Sequence, residues 1–383
     1  MIFLHTSDLH LGKRLHEVSL LADQRHILSE ICRIAAENRC DAVVAAGDIY
    51  DKSTPSAEAV ALFDRFATEL HDRGIALIAN YGNHDSADRV GYASALLNRS
   101  GVHLSPRYDG TVSRAVLCDR HGPVNFYLLP FLRPAVVSAA AEGTEFSSYD
   151  EAVKYAVDAI GADFGERNVI LSHQYVTGGE RSESEDVPVG GLDNISAGIF
   201  DGFDYCALGH LHKPQHIGRE TMRYSGSPLK YSLDEYGSEK SAVLVRMEEK
   251  GQCEVNLIPL KPLRDVRRLK GSYEALTLRR NYEGTAVEDY LHVILTDDDY
   301  VPDALRKLRV IYPNILKLEY ANVRTSHDAD GEELAEASLS AGMTPLDLFG
   351  ELYRVQNNAP LGESGTRIAE AILEKAGEED VPA

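Results

Sequence analysis

The stretch 205–215, YCALGHLHKPQ, decides how the chain is read: a short apolar run stops at Gly209, and His210 and His212 follow one residue apart. A continuous apolar run of this length, closed by glycine, is the pattern of a strand buried on both faces. Imidazoles placed where such a strand stops point to a site, provided that other strands stop in the same way.

They do. Apolar runs at 2–5, 42–46, 75–80, 124–129, 169–171, 205–208, 222–224, 242–247 and 255–259 read as strands, and helical periodicity appears at 21–36, 56–73 and 150–160. Strands alternating with helices predict an α/β layered domain. After 2–5 comes TSDLHLGK with Asp8 and His10; after 42–46, GDIYD with Asp48 and Asp51; after 75–80, YGNHDS with Asn83, His84 and Asp85. LSHQ then offers His173, and GHLH offers His210 and His212. In an open α/β sheet, ligands bind beyond the carboxyl ends of the strands, so these side chains are expected to converge. In extended chain, residues i and i+2 point to one side, which would let Asp8 with His10, and His210 with His212, face one site. Gly47, Gly82 and Gly209, each just before a ligand, are expected to permit tight turns.

Carboxylate, imidazole and one amide oxygen, without cysteine, favour a first-row metal over a structural zinc centre. Asp8, His10, Asp48, Asn83, His173, His210 and His212 are too many for one tetrahedral ion. They suit two ions about 3.5–4 Å apart that share a carboxylate and clamp a phosphoryl displacement.

These blocks resemble those of the calcineurin-like metallophosphoesterases: D-x-H, G-D-x-x-D, G-N-H-D/E, a lone His and G-H-x-H, present here in order. The wording HTSDLHLGK, GDIYDKSTPS, GNHDS, LPFLRP, YCALGHLHKPQ and YSGSPLKYSLDE is similar, within that superfamily, to bacterial nuclease subunits that work with an SbcC-type ATPase. Leu9 departs from the tryptophan frequent there. The resemblance implies a four-layer β-sandwich flanked by helices, with a small βαβ capping domain and C-terminal helices. It implies one metal on Asp8, His10, Asp48 and His212, and a second on Asp48, Asn83, His173 and His210, both manganese. His84 would serve the leaving oxygen and Asp85 would orient His84. The implied activity is ATP-dependent exonuclease action on double-stranded DNA ends and endonuclease action on single strands or hairpins, in DNA repair, recombination and replication. The implied partners are the SbcC-like ATPase, DNA and a second copy of the chain.

Organisation along the chain agrees with several domains. Residues 1–260 form the expected nuclease domain, 263–325 a capping unit with YLHVILTD and ILKLEYA as strands around a helix at 302–311, 326–343 an acidic linker, and 344–383 a helical tail that would bind the ATPase. Thr344 and Pro345 suit an N-cap and first helical position, and a second helix is expected near 367–375. The tail helices read either as a docking element or as a hairpin folded onto the chain. GGERSESEDVPVGG, 178–191, reads as a loop. The basic run 261–270 reads equally as a solvated linker or a DNA contact.

The net charge is −21 over 383 residues, unlike the basic footprint usual in a nucleic-acid binder. Nearly half of it lies in the last 58 residues, with 13 acidic and 3 basic, so a phosphate-facing surface elsewhere is not excluded. Five scattered cysteines suggest neither a disulfide framework nor a cysteine metal site and fit a reducing cytoplasm. No window reaches the roughly 18 apolar residues of a membrane helix. Asp51 reads as a capping or supporting residue, 226–228 as a turn that the resemblance would place near the site, and the remaining histidines as surface or hydrogen-bonded core. Two other functions compete: a phosphodiesterase of small substrates, which would need neither capping unit nor tail, and a subunit that chiefly tethers DNA ends with cleavage gated by its partner.

Overall fold

In the computed structural model, which describes residues 1–182, 193–321, 344–357 and 361–379, the strand Ala42–Ala46 is buried along its whole length, as AVVAA requires. It lies inside a six-stranded sheet ordered Cys253–Pro259, Ser241–Met247, Ile2–Thr6, Ala42–Ala46, Ala76–Asn80, Val102–Leu104. The last four run parallel and the first two antiparallel. A second six-stranded sheet runs Gln215–Ile217, Arg219–Tyr224, Tyr205–Leu208, Arg167–Ser172, Gly122–Leu129, Ser113–Asp119, parallel at its centre with an antiparallel strand at each edge.

Alternate residues of the two sheets face each other. Phe3, Val44, Ile78, Phe126, Val169, Leu171, Tyr205 and Val243 form one buried core, with Phe3 edge-on to both Phe126 and Tyr205 at 5.5 Å between centroids. The opposite face of the second sheet packs on the helices Pro134–Ala140 and Tyr149–Asp158 through Val137, Val153, Ala156 and Ile170. The helices Leu21–Glu37 and Ala57–Asp72 bury Ile27, Leu28, Ile31, Leu62, Phe63 and Phe66. Ser56 caps the second of these by accepting from Ala59 N. The layered α/β architecture expected from the alternation is present.

The chain divides into two compact units, Met1–Asp265 and Val266–Ala383. In the second, three parallel strands, Val266–Gly271, Tyr290–Leu295 and Ile315–Tyr320, bury Leu291, Val293, Leu295 and Ile315 with Leu308 and Tyr312. The basic run is thus neither linker nor loop in its second half: Val266–Gly271 is an edge strand, and Arg267 is paired with Asp289 at 2.6 Å. The helix expected at 302–311 is shorter, Ala304–Leu308; Asp303, in the left-handed region at φ 57°, sets its later start. In the tail, Thr344 and Asp347 form a reciprocal capping box at the start of Pro345–Asn357. This helix packs on Glu363–Glu379, as a hairpin would. Residues 183–191 of the expected loop and the expected linker 326–343 lie outside the described residues. No helix among the described residues is long and apolar enough to cross a membrane.

Candidate metal centre

Three turns that carry expected ligands leave the first sheet and two leave the second, so the two sheets meet the site along one rim. The rim is tight. A Cβ on Gly209 would lie 1.7 Å from Ala46 O, and one on Gly82 would lie 2.1 Å from Asp48 Oδ1; close approach, not turn geometry, demands glycine at both. Gly47 meets both demands, with φ +79° and no room for a Cβ against His173.

The extended spacing expected for the Asp8–His10 and His210–His212 pairs is not what brings them together. Asp8, His10, Asp48 and His210 all have positive φ, at 52°, 41°, 46° and 105°. Non-glycine residues held there cost of order 1–3 kcal/mol each and cluster at functional sites, where surrounding bonds enforce them. Here His10 N donates to Asp48 O at 2.9 Å, Asp8 N to Gly47 O at 3.2 Å, and Gln24 Nε2 to the carbonyls of Leu9 and His10.

The structure brings all seven expected ligands together. Asp48 Oδ2 lies 3.5 Å from His10 Nε2 on one side and 3.2 Å from His173 Nε2 on the other. On the first side His10 Nε2 is 3.1 Å from His212 Nε2, and Asp8, His10 and His212 form one group of converging donor atoms. On the second, Asn83 Oδ1 is 3.2 Å from both His173 Nε2 and His210 Nδ1. Asp8 ties the halves: its carboxylate accepts from His210 N at 3.0 Å and from Ser7 Oγ at 2.5 Å, and lies 3.9 Å from His173 Nε2.

These separations suit divalent ions. Neighbouring ligands of an octahedral ion with bonds near 2.1 Å sit about 3 Å apart. The protonation pattern agrees. Burial pushes the imidazoles of His10 and His210 down to about 3 and that of His212 well below its ordinary value, leaving neutral nitrogens. His173 is opposite: burial opposes its charge, but the charge and hydrogen bond of Asp48, with Asp8, raise it to about 9. Burial likewise opposes ionisation of Asp48, yet His173, then His10 and His84, hold its carboxyl well below the usual range. Burial lifts Asp8 to about 7. A proton on His173 thus balances the Asp48 charge where a cation would. His10 Nδ1 and His210 Nε2 are buried without a hydrogen-bond partner.

His84 N donates to Asp48 Oδ1 at 2.9 Å, its ring stands edge-on to His10 at 4.8 Å, and its Nδ1 lies 3.2 Å from Asp51 O. Since a carbonyl only accepts, that bond places a proton on Nδ1. Asp85 works through the backbone: its carboxylate accepts from Ile49 N, Tyr50 N and Gly82 N at 2.9–3.0 Å, binding the Asp48 and Asn83 turns to each other. Asp51 supports its neighbours, 3.1 Å from Lys13 Nζ and 3.7 Å from His10 Nδ1. The turn at 226–228 touches the site, with Gly226 O accepting from Ser7 Oγ and Ser227 N donating to His212 O.

Several supports were not visible in the sequence. Ser7, Gln24, Phe131, Tyr231 and Lys240 brace ligands: Phe131 stacks on His210 at 6.4 Å, and Lys240 Nζ donates to His212 O at 2.8 Å. Ser7 carries a signal in its place beside Asp8, and Phe131 and Tyr231 lie in LPFLRP and YSGSPLKYSLDE, which carry the resemblance without giving either residue a role.

The family model for calcineurin-like phosphoesterases matches residues 1–214. The model described as the type 5 capsule protein repressor C-terminal domain matches 262–357. The chain therefore belongs to the calcineurin-like phosphoesterases and is a metal-dependent phosphodiesterase. Over 331 residues it is 31% identical to the SbcD subunit of the SbcCD nuclease of Staphylococcus epidermidis, covering 85% of this chain and 87% of that one. Within the class, its family is that of the SbcD nucleases. Among solved structures it resembles the Thermus thermophilus protein TT1561 (14% identity, 67% of this chain and 98% of that one, TM-score 0.39). It also resembles a dimetal phosphatase from Danio rerio (12%, 68% and 99%, TM-score 0.37).

Proposed function

We propose that the chain is the manganese-dependent DNA nuclease subunit of a complex with an SbcC-type ATPase. With that partner it acts as an ATP-dependent exonuclease on duplex ends and an endonuclease on single strands and hairpins, in repair and recombination in the cytoplasm. The observation that carries the reading is the place of Asp48 Oδ2 between His10 Nε2 and His173 Nε2, 3.5 and 3.2 Å away, with a separate set of donors beyond each. Asp8, His10, Asp48 and His212 would hold one ion, and Asp48, Asn83, His173 and His210 the other. Two such ions supply Lewis acidity and an activated water for in-line displacement at a phosphodiester.

The residues around them do the rest. His84, oriented through Nδ1 by Asp51 O, presents Nε2 to the leaving oxygen and gives it a proton or hydrogen bond. Asp85 positions His84 at one remove, by fixing the turns that carry Asp48 and Asn83. Exposed apolar residues on the tail helices, Phe349, Ile368 and Ile372, supply the docking surface for the ATPase.

The test is cleavage of linear duplex DNA with manganese, with and without the ATPase, beside hydrolysis of bis(p-nitrophenyl) phosphate. The reading expects duplex cleavage that ATP and the partner enhance; hydrolysis of the small ester alone would overturn it. Deleting 344–383 is expected to abolish co-purification with the ATPase and leave small-ester hydrolysis intact.

A further inference from the structure

Tyr231 lies 19 residues beyond His212 in the chain, in a segment with no expected ligand, yet it touches both ligand-bearing turns of one half of the metal centre. Its Oη donates to Leu9 O at 2.5 Å, the carbonyl between Asp8 and His10. Its ring stands edge-on to His10 at 5.5 Å and to His212 at 5.8 Å, and those two rings are 5.0 Å apart. Three rings thus pack as a triangle, in which any tilt of one displaces the others.

The segment that carries Tyr231 is itself anchored. Tyr231 N donates to Glu235 Oε1 at 3.1 Å, and Glu235 is ion-paired with Lys240, both fully enclosed. Lys240 Nζ returns to His212 O at 2.8 Å and to Ser227 Oγ at 2.9 Å. A closed loop of contacts therefore runs from Leu9 through Tyr231, Glu235 and Lys240 back to His212. The other half has separate supports: His173 Nδ1 lies 2.8 Å from Ala46 O, and His210 stacks on Phe131.

We infer that Tyr231 is a positioning residue for one metal site only, the one built from Asp8, His10 and His212, which it clamps by its hydroxyl and by its ring. The inference rests on those three residues being ligands. It assigns the two ions different supports, so they can be weakened separately. Groups that orient metal ligands typically change affinity about 10–100-fold when removed. Gln24 Nε2 also donates to Leu9 O, at 3.2 Å, which keeps that carbonyl partnered when the tyrosine hydroxyl is lost.

The experiment is manganese titration of the full-length chain by calorimetry, with electron paramagnetic resonance to detect spin-coupled ion pairs. Tyr231→Leu is expected to weaken one of two sites at least tenfold, leave the other within twofold, and replace the coupled-pair signal by that of isolated ions at low manganese. Tyr231→Phe, which keeps the ring and loses the hydroxyl, is expected to fall between wild type and Tyr231→Leu, and carries the test if the leucine variant fails to fold. In a His173→Ala background, Tyr231→Phe should weaken the remaining site; in a His212→Ala background it should not. Equal weakening of both sites, or no change in either, would overturn the inference. Fewer than two ions bound by the wild type would instead overturn the metal reading beneath it.

Discussion

His84 and His212 differ in what they touch, and the difference predicts two kinds of damage. His212 Nε2 meets His10 Nε2 at 3.1 Å inside the ligand cluster, whereas His84 contacts Asp48 through its backbone N–H and has its ring turned by Asp51 O. His84→Gln should therefore bind two manganese ions like wild type and cleave about 10²–10⁴-fold more slowly, the usual worth of a positioned acid. His212→Ala should lose metal affinity itself, and equal metal loss in both variants would reverse the assignment. Protons give a second prediction at this scale. His173, raised to about 9, and Asp8, raised to about 7, hold protons in the metal-free site near neutral pH, and both must lose them to ligate. Metal uptake at pH 7 should release protons, and affinity should rise from pH 6 towards 9, on the order of tenfold per unit for each proton released. Calorimetry in buffers of different ionisation enthalpy reads this; proton uptake would contradict it. The nine expected site residues could be picked out as candidates because each follows a strand that stops abruptly. Their supports could not: Tyr231 and Lys240 reach the site from distant positions through folding alone, and positive φ at Asp8 and His10 leaves no mark in a D-x-H pattern.

Central strands were all legible, whereas of the edge strands Cys253–Pro259 and Ile315–Tyr320 were read and others were not, for a physical reason. AVVAA and YCAL are buried on both faces and read as unbroken apolar runs. Ser113–Asp119 and Val266–Gly271 are edge strands whose exposed positions carry Arg114, Arg268 and Lys270, so charge hides them. The short helix Pro134–Ala140 buries only Val137 and offers no periodicity to detect. Where elements from the two sheets meet, the geometry predicts a sharp local sensitivity. Gly209→Ala would drive its Cβ into Ala46 O, and overpacking of this kind typically costs about 1–3 kcal/mol. Urea unfolding of the metal-free protein should show at least that loss. Gly251→Ala is the comparison at an open position with φ +79°, where only backbone conformation is strained and no neighbour is met. A smaller loss at Gly209 than at Gly251 would mean that the sheet ends are not in contact as described.

Across the whole chain, acidity and phosphate chemistry coexist because the charge is segregated. The last 58 residues hold a balance of −10 of the total −21, while the ligand cluster carries carboxylates whose charge divalent ions offset. The overall acidity is unlike a nucleic-acid binder but does not exclude a local phosphate-facing surface, and the five strand ends, read together, point to phosphoester hydrolysis and not to its substrate. The chain divides into Met1–Asp265 and Val266–Ala383, where the sequence suggests a nuclease domain at 1–260, a capping unit at 263–325 and a separate tail, without the extra strand Val266–Gly271. In the proposed function this chain cleaves phosphodiesters with two ions held around Asp48. The most direct test of that function is the rate of linear duplex cleavage as metal-free protein is titrated with manganese. The account predicts no cleavage in excess chelator and a rate that rises until two equivalents are bound. Cleavage that survives complete metal removal, or that saturates at one equivalent, would contradict it.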